Sequence, residues 1–109
     1  MDHLIFWKKV EDLCKQYKDI SFYLEDNDAD DEVYISGFMR LRPYQSEKGL
    51  GKKFMNKFIS LCDRYGINCE LSVEEWLAKD VLTEYYQQFG FEEVEVIEGD
   101  SIRMRRICS

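Results

Sequence analysis

The chain has 109 residues, 45% of them hydrophobic and 15% aromatic, which suffices for one small domain over residues 1–109 with a single core. Its formal charge of −7, from 22 acidic and 15 basic residues, excludes nucleic-acid binding by phosphate neutralisation across the whole surface and suits a cationic partner. No apolar run approaches membrane-spanning length and the first stretch is charged throughout, so a cytoplasmic chain with no membrane partner is expected.

Residues 2–18 read as an amphipathic helix, with Phe6, Val10, Leu13, Cys14 and Tyr17 at helical spacing and Asp2 as an N-cap candidate. Ile20, Phe22 and Leu24 alternate with polar neighbours, as in a strand. Asp26 to Glu32 is almost wholly acidic and reads as a loop, either solvated or recruiting a cationic acceptor. Val33, Ile35, Met39 and Leu41 alternate again up to Pro43, and Gly37 inside that run suggests a bulge or a close backbone approach.

From Gly49 to Tyr65 a second helix carries the stripe Leu50, Phe54, Phe58, Leu61, Cys62 and Tyr65, and Gly66 stops it. Ile67, Cys69, Leu71 and Val73 mark a further strand. Glu74 to Lys79 is a connection in which Trp76 and Leu77 cover core. Asp80 is the N-cap candidate of a short helix bearing Val81, Leu82, Tyr85, Tyr86 and Phe89, ended by Gly90.

The tail reads as a hairpin turning at Gly99. That register pairs Val94 with Met104 and Val96 with Ile102 on one face, and Glu93 with Arg105 and Glu95 with Arg103 on the other. The order is α-β-β-α-β-α-β-β, an α/β (α+β) domain. Cys14, Cys62, Cys69 and Cys108 form no Cys-x-x-Cys pair and His3 is the only histidine, so the cysteines read as small buried hydrophobes and no metal site is expected.

The stretch Met39-Arg40-Leu41-Arg42-Pro43-Tyr44-Gln45-Ser46-Glu47-Lys48-Gly49-Leu50-Gly51-Lys52 is a strand end, a polar loop and a helix start. The first N–H groups of a helix lack internal partners and favour negative charge, and glycines let an anion approach them. Together with Tyr85-Tyr86-Gln87-Gln88-Phe89-Gly90-Phe91, this stretch resembles the GNAT superfamily of N-acetyltransferases. In that family an apolar-x-apolar-x-Pro strand end leads into Gln/Arg-x-x-Gly-x-Gly/Ala, and a later helix ends aromatic-Tyr-x-x-x-Gly-Phe. Met39, Leu41 and Pro43 match the first, Ser46 to Gly51 the loop, and Tyr85, Tyr86, Gly90 and Phe91 the second. The likeness covers roughly residues 20–107. The chain departs from the pattern at Ser46, where the family has Gln or Arg, and at Lys79, often Asn. It also lacks the two-helix segment that usually follows the first strand, and in size it is closest to compact, phage-type members.

The resemblance implies a mixed, mostly antiparallel sheet with flanking helices and the cofactor acetyl-CoA (coenzyme A). It implies cofactor contacts at Met39, Arg40 and Leu41 on the strand and at Ser46, Lys48, Gly49, Leu50, Gly51 and Lys52 in the loop and helix start. It points to Tyr86 as donor of a proton to the leaving sulfur, against a structural reading in which Tyr86 is core. Glu70, directly or with Ser72 through a water, is the candidate base, against a surface role, with Glu32 and Glu75 as alternatives. The acceptor is an amine, a protein lysine or a small cationic compound, attacked directly with no cysteine nucleophile. A homodimer is left open. The alternative is a catalytically weak binding module or acidic protein inhibitor of the anti-CRISPR kind.

Overall fold

The computed structural model describes residues 3–27, 31–40, 49–74, 79–97 and 101–108. Its elements are α1 (His3–Gln16), β1 (Ile20–Asp26), β2 (Glu32–Arg40), α2 (Leu50–Tyr65), β3 (Asn68–Glu74), α3 (Lys79–Gln87), β4 (Glu92–Ile97) and β5 (Ser101–Arg106), in the expected order. The strands form one five-stranded sheet ordered β1-β2-β3-β5-β4. Only β2 and β3 run parallel, so the sheet is mixed and mostly antiparallel, as expected.

One face of the sheet is apolar because the alternation of each strand puts Ile20, Val33, Ile35, Cys69, Leu71, Val73, Ile102 and Met104 on it, all buried. Phe6, Val10 and Leu13 of α1, Phe54, Met55, Phe58 and Cys62 of α2, and Phe89 and Phe91 after α3 complete one cluster with them. The extents of 38 × 37 × 20 Å give a slab as thick as one sheet and one helix layer, about 10 Å each. The opposite face carries ion pairs instead, Glu70–Arg103, Glu95–Arg103 and Glu32–Arg105, each at 3.2 Å. Their arginines stand about 40% exposed, so solvent screens these pairs and their net contribution is small, whereas one buried Phe contributes about 1.5–3 kcal/mol. The apolar face therefore decides the fold.

Two features of β2 shape the site. Its antiparallel register with β1 runs Tyr23↔Gly37 and then Leu24↔Ile35, which leaves Ser36 as the extra residue of a bulge. A Cβ on Gly37 would stand 2.9 Å from the Tyr23 ring, so the glycine is required by close approach. The bulge shifts the alternation by one residue. Phe38 turns inward and stacks on Phe54 at 5.9 Å, while Met39 is 60% exposed. The expectation that Met39 continues the Val33–Ile35 face is thereby corrected.

The second feature is a fork. The parallel ladder of β2 and β3 holds only Glu32↔Asn68, Val33↔Cys69 and Tyr34↔Glu70. Beyond Tyr34 the two strands do not pair among the described residues, so one edge of Ile35–Arg40 has no strand neighbour there.

Both helices beside that opening end in the same device. Gly66 is left-handed (φ 67°) and its N–H donates to Asp63 O, while Ile67 N–H donates to Cys62 O at 2.8 Å. Gly90 (φ 94°) repeats this with Gly90 N–H to Gln87 O at 3.0 Å and Phe91 N–H to Tyr86 O at 3.3 Å. These are Schellman turns, with an apolar contact between the residue after the glycine and the start of the last turn. A Cβ on Gly90 would also lie 3.3 Å from Arg106 Nε, so no larger residue fits comfortably.

Two expectations shift slightly. The α3 helix already includes Lys79, so Asp80 lies inside it rather than at its cap. The β4–β5 register confirms Glu95↔Arg103 and Val96↔Ile102, but a bulge at Val94 then pairs Glu93 with Met104 and Glu92 with Arg105. At a sheet edge an extra residue disrupts only one ladder, and the period-2 pattern carries no mark of it. Asp2, Asp28 to Asp30, Glu75, Trp76, Leu77 and Gly99 lie outside the described residues.

Candidate functional site

The open end of the fork meets α2 and α3 at a cavity of about 230 Å³ lined by Phe38, Met39, Gly51, Val81, Leu82, Tyr85 and Tyr86. Wider clefts of about 440 and 500 Å³ lie between α1 and α2 and between α1 and β1. Neither is lined by a residue of the two motifs, and a cleft of about 430 Å³ after α3 meets only the second of them, at Gln87, Gly90 and Phe91, so the smaller cavity, which joins both, is the candidate site.

Each wall has a local cause. Phe38 reaches the cavity through the bulge at Ser36. The α2 wall begins at Gly49, left-handed at φ 79° and with no atom within 4 Å of a Cβ placed on it. Among the described residues no side-chain hydrogen bond caps this helix start, and its first N–H donors suit an anion. Lys52 is exposed beside them and adds charge. Gly51 is buried, and a Cβ there would stand 3.3 Å from the Tyr85 hydroxyl oxygen and 3.5 Å from Phe38 Cζ.

Tyr86 sits at the first residue of the Gly90 Schellman turn, which fixes its backbone. Its ring packs edge-on against Tyr85 at 5.4 Å and Phe91 at 5.9 Å. Burial, and then the neighbouring Tyr85 phenol, push the Tyr86 pKa up to about 12. The phenol therefore stays protonated through the neutral range and keeps a proton to donate. The folded-state value lies above the unfolded one of about 10, so this stabilisation is complete below pH 10. It is lost as the pH rises towards 12, by roughly 2–3 kcal/mol. In an alkaline titration of tyrosine absorbance, a component ionising at about pH 12 is expected, and it disappears in Tyr86→Phe. Absence of any such component would contradict the burial of Tyr86.

Glu70 stands elsewhere. It is the last β3 residue paired to β2, at the vertex of the fork, and its carboxylate accepts from Arg103 Nη1 at 3.2 Å. It does not line the cavity. Glu32 is buried and accepts from Asn27 Nδ2 at 3.1 Å and Arg105 Nη2 at 3.2 Å, which gives it a structural position. Burial, and then a hydrogen bond with Cys62, push the Cys69 thiol well up, the state of an inert core cysteine.

Of the expected cofactor contacts, the structure brings Met39 and Gly51 to one cavity with Tyr86, the expected proton donor, and sets Gly49, Leu50 and Lys52 on the adjoining helix start. Arg40 ends β2 at the fork. Leu41, Ser46 and Lys48 lie outside the described residues. Sequence reasoning missed Phe38, Val81, Leu82 and Tyr85 as lining. Gly37 marked the bulge that turns Phe38, but its effect on the alternation went unread.

No family model and no curated protein sequence matches the chain. Solved structures do. A protein of Desulfovibrio desulfuricans assigned to the GNAT family of acetyltransferases superposes with a TM-score of 0.69 at 12% identity, covering 84% of this chain and 62% of its own. The ribosomal-protein-S18-alanine N-acetyltransferase of Escherichia coli gives 0.60 at 17% identity, covering 91% and 89%. PaiA N-acetyltransferase of Thermoplasma acidophilum, solved with coenzyme A, gives 0.56 at 20%, covering 72% and 48%. The chain thus spans less than two thirds of the Desulfovibrio protein and about half of the Thermoplasma one. Among the described residues, no helix is long and apolar enough to cross a membrane. With its strand order, its forked sheet and its helices on the apolar face, the chain has the fold of the GNAT N-acetyltransferases.

Proposed function

We infer that the protein is an acetyl-CoA-dependent N-acetyltransferase that acetylates a primary amine by direct attack. One observation carries this reading: a single apolar cavity joins the unpaired edge of β2, the glycine start of α2 and the Tyr86 phenol. These are the parts that acyl transfer to an amine needs. The free helix N–H groups and Lys52 suit a pyrophosphate. The unpaired edge of Ile35–Arg40 suits an extended amide-bearing arm, which it can bind as a strand would. The fit supports coenzyme A, which supplies the activated thioester.

In this reading the amine nitrogen would bond to the thioester carbon as the carbon–sulfur bond breaks, and Tyr86 would give its proton to the departing sulfur and regain one from the new amide nitrogen. Glu70 takes the ammonium proton of the acceptor, directly or through Ser72 and a water, with Arg103 positioning its carboxylate. The apolar lining of the cavity disfavours water and so favours transfer to the amine over hydrolysis. The negative net charge suits a cationic acceptor, a protein lysine or a small amine.

Calorimetric titration with acetyl-CoA is expected to show one site with Kd between about 1 μM and 1 mM, the usual range of substrate affinities. No heat of binding at millimolar ligand would overturn the reading and favour an acidic binding module on the same fold.

A further inference from the structure

The two outer strands of the sheet, β1 and β4, are built differently. The β4 edge is guarded. Glu92, Glu93 and Glu95 stand exposed along it and a bulge at Val94 breaks its ladder. Charge and bulges are the devices by which proteins keep foreign strands from pairing. The β1 edge has neither at its centre. Ile20–Asp26 contains no Lys, Arg or Pro, its two carboxylates come last, and the bulge opposite it belongs to β2. The cleft of about 500 Å³ between α1 and β1 runs along this edge. Leu4 and Trp7 line it from the helix, and Phe22, Tyr23 and Leu24 from the strand. Leu4 is 77% and Tyr23 65% exposed, a high value for residues of their size and polarity. Among the described residues, Lys8 and Glu11 are the only charged groups lining the cleft, so within a chain of net charge −7 it is neutral.

We propose that this face joins two copies of the chain, with β1 pairing antiparallel to β1 of the second copy about a two-fold axis at Tyr23. A second copy is the occupant because the face is complementary to itself, as a two-fold interface must be. With the axis at Tyr23, Ile20 meets Asp26, Ser21 meets Glu25 and Phe22 meets Leu24, so all seven residues pair and no two carboxylates oppose each other. The chain turns back after α1, and rises of about 1.5 Å per helical and 3.4 Å per strand residue put Lys8 and Glu11 on either side of the level of Tyr23. The axis therefore brings Lys8 of each copy towards Glu11 of the other. Within one copy these two groups have exposed partners on their own helix, Asp12 at 3.8 Å and Lys15 at 3.1 Å, which are weakly held and exchange readily. Local neutrality also lets two acidic chains approach here without net repulsion. The strand is about 24 Å long and the slab 20 Å thick, a face of roughly 500 Å² per copy. Doubled, that lies near the lower bound of specific interfaces, which makes the dimer a weak one. The fork opens on the other edge of β2, so each copy keeps its own cavity.

Sedimentation velocity of the whole chain between about 1 μM and 1 mM is expected to show monomer passing to dimer with a Kd of about 10–100 μM. Tyr23→Lys sets two cations against each other at the axis and weakens the dimer about tenfold or more. Lys8→Glu weakens it by about fivefold, because like charges then meet across the axis. Combining Lys8→Glu with Glu11→Lys exchanges the two charges and restores the dimer to within about twofold of wild type, an effect that a purely local change in α1 does not produce. Far-UV circular dichroism reports whether each variant is folded. Both helix positions are exposed, so the charge exchange decides the matter even if Tyr23→Lys fails to fold.

A monomer at every concentration overturns the proposal and leaves this edge to a strand of another protein. A dimer that neither Tyr23→Lys nor Lys8→Glu weakens lies on a different face and overturns it as well. A dimer weakened by Lys8→Glu but not restored by the exchange overturns the pairing of Lys8 with Glu11. None of these outcomes bears on the acyltransferase reading, which the titration with acetyl-CoA decides.

Discussion

Replacing Tyr86 with phenylalanine is expected to lower kcat by about a hundredfold or more, up to ten-thousandfold, while acetyl-CoA affinity stays within a few-fold. The change removes one hydroxyl and keeps the ring that packs on Tyr85 and Phe91, so the cavity wall survives. The lost hydroxyl is the only proton of the ring held neutral by burial, with its pKa at about 12. Without it the thiolate must leave unprotonated or take a proton from water. The effect belongs in kcat, because a group that acts only as the sulfur departs contributes little to ground-state binding. Steady-state rates with a lysine-bearing acceptor, beside calorimetric affinity, separate the two. An unchanged kcat would return Tyr86 to a purely structural role. Glu70→Gln in the same assay distinguishes a base from an ion-pair partner: full activity assigns Glu70 to Arg103 alone.

Arg106→Ala is expected to destabilise the fold by about 3 kcal/mol, a large share of the roughly 5–15 kcal/mol available to a domain of this size. Arg106 is buried at 8% exposure on the apolar face of β5, where a charge is costly unless fully paired. Its guanidinium meets the Asp63 carboxylate at 2.8 and 2.9 Å, and its Nε–H donates to the Phe89 carbonyl at 2.7 Å. Those hydrogen bonds to Asp63, ahead of the opposing effect of burial, push the arginine pKa further up. One side chain thus fastens the end of α2 and the turn after α3 to the sheet. Removal strands a carboxylate and a carbonyl, and because Asp63 keeps 28% exposure the expected loss is set at the low end of the range for broken buried pairs. Arg106→Lys recovers little, since a point charge cannot make the two-pronged contact. Urea unfolding gives the measurement, and a loss below about 1 kcal/mol for Arg106→Ala would show that the clasp is dispensable.

Much of this was legible in the sequence because local rules and global packing agree. The stripe Phe54, Phe58 and Cys62, the alternation Cys69, Leu71 and Val73, and the stops at Gly66 and Gly90 each follow from period and turn chemistry, and the structure places them accordingly. The two motifs located the cavity wall at Met39, Gly51 and Tyr86. What escaped were events that add a residue without changing composition. The bulges at Ser36 and Val94 each shift a strand by one position, so Phe38 and Met39 exchange faces and Glu92 takes the place expected for Glu93. Glu70 lay on the polar side of β3 as expected, yet its partner Arg103 comes from a strand thirty-three residues away, and no local pattern specifies that pairing. Tyr85 was visible as an aromatic but not as the neighbour of Gly51, because that contact joins α3 to the start of α2 across the fork.

The short ladder at the fork has a consequence for how the chain reaches its fold. The sheet divides where the sequence divides: α1, β1 and β2 come from the first half, and β3, α3, β4 and β5 from the second. Among the described residues, only Glu32↔Asn68, Val33↔Cys69 and Tyr34↔Glu70 pair the halves edge to edge, while α2 bridges them. Two hairpins, β1–β2 and β4–β5, close over short loops, so much of the pairing is local in sequence. The hairpins are therefore expected to form first, and β3, which meets β5 and β2 across similar separations in sequence, to join them last. The gap that shapes the cavity thus lies along the edge of the strand expected to pair last.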